Sequence, residues 1–158
     1  MTDKIPEAVL KEKKRRDASR KRILLNQMQK LVDFEALAQK VGKKLAVRMV
    51  GHISFGAAAQ AVIRWDAIEV SWPVMQKIYR AGKTARMDDL VYRWCLAWHE
   101  VAHFNVPVEK RTSESGWFTG YRPHGPKFRK YCSERGHHWN VSADVELWRE
   151  KFNEKLLF

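Results

Sequence analysis

The chain has 158 residues, the size of one compact domain, and at 45% hydrophobic and 30% charged it has the material for a core. Lys and Arg number 30 against 18 Asp and Glu, so the formal charge is +12, which fits a polyanionic partner, most simply nucleic acid, although basic charge alone also fits an anionic membrane surface. Two cysteines, Cys95 and Cys132, are too few for a disulfide framework or a four-cysteine zinc ribbon. No run approaches the roughly 18 apolar residues of a membrane span. The charged stretch from Met1 to Lys14 does not fit a signal peptide either, so the expected setting is intracellular, cytoplasmic or nucleoid-associated, without a membrane.

Residues 1–22 form the first unit, a basic N-terminal arm or solvated helix. Between Lys11 and Arg22 lie eight basic and two acidic residues and almost nothing apolar, so this stretch has no face to bury. Residues 23–158 form the second unit. Leu24, Met28, Leu31, Phe34, Ala38 and Val41 recur at three- and four-residue steps, which predicts an amphipathic helix stopped at Gly42. Val47, Met49, Ile53 and Phe55 then alternate, and 61–65 and 68–72 read as short strands, with Trp65-Asp66-Ala67 as a tight connection. Together these predict a small three-stranded antiparallel sheet. A short helix follows Pro73, over about 74–80. Asp88 is placed as the N-cap of a helix running to about Phe104, apolar on more than one face and therefore central. Residues 105–123 read as loop, Pro126–Arg135 as a helix stopped by Gly136, and Ser142 to about Leu156 as the last helix. The fold class expected is a single α+β domain.

The central helix carries His99-Glu100-Val101-Ala102-His103, an H-E-x-x-H motif. Histidines at i and i+4 share a helix face, one turn apart, and suit two imidazoles converging on one zinc ion. Glu100 is turned about 100° from His99, beside a metal rather than on it, as a general base requires. Burying three such groups on an apolar helix is costly without a partner. A catalytic zinc normally takes a third protein ligand. His52, His124, His137, His138, Glu109 and Glu114 are available, and His124 is the best placed, because Gly125-Pro126 can start a helix that aims its imidazole back at the first one. A metzincin pattern is absent: Val106 and Glu109 stand where that motif has glycine and its third histidine. Cys95, one turn before His99, reads as a small buried apolar residue.

His99-Glu100-Val101-Ala102-His103 followed, after twenty residues, by His124-Gly125-Pro126-Lys127-Phe128 resembles the SprT-like metalloproteases, which include the Spartan proteases that degrade proteins crosslinked to DNA. The resemblance spans roughly residues 23–140 and rests on those two motifs. It implies a zincin-like domain in which one zinc per chain is held by His99, His103 and His124, with Glu100 as catalytic base. It further implies hydrolysis of peptide bonds by Glu-assisted attack of zinc-activated water on DNA-associated or DNA-crosslinked proteins. An edge strand can hold an extended substrate, and Tyr121, His137 and His138 are candidates to stabilise the oxyanion.

Many members of that family carry a C-terminal zinc ribbon, which two cysteines cannot supply, so DNA contacts must come from basic residues elsewhere. Lys13, Lys14, Arg15, Arg16, Arg20, Lys21 and Arg22 are the candidates for tracking phosphates without reading sequence. Arg122, Lys127, Arg129 and Lys130, near Trp117, Phe118 and Tyr121, form a second, weaker cluster. The rival readings are a non-enzymatic, zinc-stabilised nucleic-acid-binding module and a zinc hydrolase acting on a non-protein substrate.

Overall fold

A computed structural model describes residues 4–81 and 86–157. Among the described residues the architecture is α+β, with five α-helices and two small sheets. The first helix, α1 (Glu7–Ala38), is continuous across the composition change at residue 22. No proline or glycine lies between Pro6 and Gly42 to interrupt it. In its basic half, Glu7 pairs with Lys11 and Glu12 with Arg15 and Arg16 at helical spacing. Residue 22 is thus a boundary in what the helix touches, not in the helix: Leu24, Met28, Val32, Glu35 and Ala36 are its buried residues. The helix stops three residues short of Val41, and Lys40 (φ 57°) and Gly42 (φ 78°) turn the chain in left-handed conformations.

The three-stranded sheet comprises β1 (Ala46–Val50), β2 (Ala59–Val62) and β3 (Ala67–Ser71) in the order β1-β3-β2. β2 and β3 are antiparallel, joined by a 3-10 turn that ends in a left-handed Asp66, at the connection expected there. β1, however, runs parallel to β3, so the wholly antiparallel sheet is corrected to a mixed one. Apolar alternation says which face a strand buries; it says nothing of which strand lies beside it or in what direction. Here the connection from β1, through Phe55 (φ 62°) and Gly56 (φ 65°), carries the chain to the far side of the position β3 will take.

Next come α2 (Trp72–Ala81) and α3 (Arg86–Ala102). Asp88 lies inside the first turn of α3 rather than before it, so it is not the N-cap. The stretch expected to be loop contains a hairpin, β4 (Glu109–Thr112) with β5 (Phe118–Arg122), then α4 (Pro126–Glu134) and α5 (Val141–Leu157) follow close to expectation. The hairpin leaves no trace of alternation in the sequence because its residues, largely charged or polar, face solvent on both sides.

α3 is the organising element, packed against α1, α4, α5 and β2. Its Leu96, Ala97 and Val101 meet Leu24, Met28 and Val32 of α1 and Ile68 and Val70 of β3 in the main core. Trp98 and Ala102 join Phe128 and Cys132 in a second cluster, under α4. Gln39 knits the junction. Its amide donates to the Trp98 carbonyl (3.1 Å) and accepts from the Tyr131 hydroxyl (2.9 Å), tying the end of α1 to α3 and α4. No described helix is long and apolar enough to cross a membrane.

Candidate metal centre

His99 projects from the last turn of α3 and His103 from the residue that follows the helix, and His124 arrives from the residue pair that starts α4. Pro126 occupies the first position of that helix, where its missing N–H costs nothing, and the extended Gly125 (ψ −177°) makes the corner. The three imidazoles converge through one kind of atom. His99 Nε2 is 3.0 Å from His124 Nε2 and 3.1 Å from His103 Nε2. Together these residues form a group able to hold a metal ion.

Phe128, fully buried on the first turns of α4, is the wall against which the rings are set. It stacks on His103 (centroids 4.3 Å, 12° between planes) and meets His99 and His124 edge-on. The motif residue four positions after His124 therefore does for the imidazoles what packing does for a core side chain: it removes their rotational freedom.

Charge state favours ligation. Burial, then the neighbouring His103 and His124, hold the pKa of His99 well below the usual value of 6.5. Burial, then His124, pushes His103 down to about 3, and burial, then Arg129, lowers His124. All three rings are therefore neutral at physiological pH, with lone pairs available. Hydrogen bonding alone does not satisfy this arrangement. Each neutral ring has one N–H, three Nε2 atoms face one another, and His99 Nδ1 is buried without a partner among the described residues. A cation accepting three lone pairs resolves the crowding, so the residues present fit a metal.

Glu100 is buried too (5% exposed), on the side of α3 turned to the sheet. Burial raises its carboxyl to about 8, against the opposing effect of a hydrogen bond donated by the Ala61 backbone N–H. That N–H is available for a physical reason. Ser71 N–H donates to the Ala58 carbonyl, so the antiparallel alternation points the backbone groups of Ala59 and Ala61 away from β3. β2 is thus an edge strand whose free side meets Glu100. The other edge is occupied: Gln29 of α1 donates to the Leu45 carbonyl and accepts from the Val47 N–H, both at 2.9 Å. Nothing in the sequence marks Ala61, because its part is played by the backbone.

The remaining candidates are placed elsewhere. His137 is buried, stacked on Trp98 (3.8 Å, 13°), with Nδ1 2.8 Å from Asp144 Oδ2. His138 is exposed, and its ring accepts from the Asn140 N–H. Tyr121 is exposed on the hairpin, against Phe118. None of these three oxyanion candidates joins the ring contacts of the metal group, which run to Phe128 and Trp139. Glu109 is engaged at the start of α4 (Oε1 to Lys127 N, 3.1 Å), and His52 and Glu114 are exposed. Cys95 is fully buried, its thiol pushed up first by burial and then by Asp144.

Lys13, Lys14, Arg15, Arg16, Arg20, Lys21 and Arg22 all lie exposed on the first half of α1. Arg15 and Arg16 share Glu12, and the Lys21 ammonium lies 5.8 Å from the centre of the Trp72 ring. From Arg22 to Ala38 is about 24 Å of helix, so the structure does not bring this run to the metal group. Against known proteins, the chain matches no family model, no curated protein and no solved structure.

Proposed function

We propose that the chain is a zinc metallopeptidase with a zincin-like active site, resembling the SprT-like proteases, that hydrolyses peptide bonds in DNA-associated or DNA-crosslinked proteins. The observation that carries this reading is the convergence of three neutral imidazoles beside a buried carboxylate that faces an edge strand. Tetrahedral zinc with bonds of about 2.0–2.1 Å sets its nitrogen ligands about 3.3 Å apart, close to the two separations of 3.0 and 3.1 Å found here. Held by His99, His103 and His124, zinc supplies Lewis acidity, making water a nucleophile near neutral pH and polarising a carbonyl.

The chain's own groups do the rest. Glu100 takes the proton of the attacking water and returns it to the leaving amine; burial alone raises its carboxyl to about 8, and the positive charge of a bound zinc ion would lower it and leave it ionised as a base. Beside the Ala61 N–H held by Glu100, the Ala61 carbonyl and the outward backbone groups of Ala59 offer an extended substrate part of a strand edge to pair with. Contact with DNA is assigned to the exposed basic half of α1. The hairpin adds Lys110, Arg111 and Arg122 beside exposed Trp117, Phe118 and Tyr121, a surface able to pair with phosphates and stack on unpaired bases.

The test is zinc per chain and proteolysis of a DNA-bound protein, for wild type, His124→Ala and Glu100→Gln. Near-stoichiometric zinc that falls sharply in His124→Ala, and cleavage lost in Glu100→Gln with zinc retained, are expected. Zinc that persists in His124→Ala overturns the ligand set. Zinc without proteolysis, and DNA binding indifferent to Glu100→Gln, marks a structural zinc in a nucleic-acid-binding module; a Glu100-dependent hydrolysis of small amides alone marks a non-protein substrate.

A further inference from the structure

Glu109 opens β4, where it pairs across the hairpin with Arg122, but its side chain leaves the hairpin for the start of α4. Oε1 accepts the backbone N–H of Lys127 at 3.1 Å. Helix α4 has no cap of its own: Gly125 at its N-cap carries no side chain, and Pro126 has no N–H. The cap comes instead from a residue eighteen positions earlier. A carboxylate there also opposes the positive end of the helix dipole.

The other oxygen explains the glycine. A Cβ built on Gly125 would lie 2.0 Å from Glu109 Oε2 and 2.8 Å from its carboxyl carbon. Yet Gly125 has φ −73° and ψ −177°, a conformation open to any residue. Glycine is therefore present for space, and the space is filled by the Glu109 carboxylate. Immediately before it stands His124, whose carbonyl accepts a hydrogen bond from Arg129 Nε at 2.9 Å. The third imidazole hangs from a corner held by Arg129 on one side and Glu109 on the other.

We propose that Glu109 is a positioning residue for the metal centre: by capping α4 and filling the space beside Gly125, its carboxylate sets His124 among the converging nitrogens. This rests on the reading of His99, His103 and His124 as a metal site. It also gives the hairpin a purpose beyond its surface, since the β4–β5 ladder is what holds Glu109 in place.

The experiment titrates metal-free full-length protein with cobalt(II), following the visible ligand-field bands, with zinc competition for the affinity. The variants are Glu109→Ala, Glu109→Gln, Gly125→Ala and the double variant Glu109→Ala/Gly125→Ala, all studied well below their melting temperatures. Partners that orient a ligating histidine are worth about 10–100-fold in metal affinity, and a loss of that size with altered bands is expected for Glu109→Ala. Glu109→Gln, which keeps an acceptor oxygen, recovers most of it. Gly125→Ala is expected to weaken binding in the wild-type background and to add nothing in Glu109→Ala, because the methyl group then meets no carboxylate. A Glu109→Ala protein with a lower melting temperature but unchanged affinity and bands overturns the proposal, as do additive effects of the two substitutions. Glu109→Gln as weak as Glu109→Ala overturns it in favour of direct ligation by the carboxylate. Wild type that takes up no cobalt in a His124-dependent way fails earlier, at the metal site itself.

Discussion

Two buried histidine clusters lie against the same helix, α3, and they are finished differently. His137 is closed off: Nδ1 meets Asp144 Oδ2 at 2.8 Å, Trp98 covers its face, and Asp144 Oδ1 accepts the His138 backbone N–H at 2.8 Å. Among the described residues the rings of His99, His103 and His124 make no hydrogen bond to a carboxylate, their Nε2 atoms face one another, and His99 Nδ1 has no partner. A buried polar group whose bonds are all made stabilises the fold it sits in; a group whose lone pairs converge on each other is able to hold a metal ion. His99 and His137 are alike in residue type and in burial. The pattern of satisfaction separates them.

The sharpest way to break the comparison is through the reaction. If the open cluster is catalytic, Glu100→Gln lowers hydrolysis by about 10²–10⁴-fold, the usual worth of a positioned acid–base group, with metal content unchanged. The same assay on Asp144→Ala, at a temperature where it is folded, should show nearly full activity per folded chain. Its cost falls on stability instead. Removing one member of a buried pair costs about 3–5 kcal/mol, which melting curves register as a fall on the order of 10 °C.

A smaller effect appears as pH dependence in the metal-free protein. The three histidines have folded pKa values below 6.5, so their contribution is complete above that pH and is lost as pH falls toward about 3, the value for His103. Glu100 is raised from 4.5 to about 8, so its contribution is complete below 4.5 and is lost as pH rises through about 8. With chelator present, Glu100→Gln should therefore melt near wild type at pH 5 and above it at pH 9; a difference that is larger at pH 5 would contradict the burial argument. The smallest effect on the fold is expected at the exposed end of α1. Replacing Lys13, Lys14, Arg20 and Arg22 with glutamine should leave the melting temperature within about 1 °C and flatten the salt dependence of DNA binding. An unchanged slope removes α1 from the DNA-binding surface.

Much of the site was legible because its information is local. Two histidines four apart on a helix share a face whatever surrounds them, and His124-Gly125-Pro126 announces a helix start at 126, where α4 begins. Elements with strong periodicity or clear stops, α2, α4 and α5, fall within a residue or two of their expected limits. The direction of β1, the hairpin, the backbone role of Ala61 and the cap from Glu109 were not legible. Each depends on which distant segment arrives alongside, and a solvent-facing hairpin of charged residues leaves no hydrophobic trace.

The sequence alone determined the chemistry available: an H-E-x-x-H helix, a candidate third histidine, a basic first half of α1 and a chain able to build an α+β domain. Covalent spacing and helical period suffice for that, since they act within one element. Tertiary structure decided that His124 meets His99 at 3.0 Å while His137 meets Asp144, and that the free edge of β2, rather than β1, faces Glu100. Those outcomes follow from packing across α3, where which neighbour arrives determines whether a buried nitrogen is satisfied or left open.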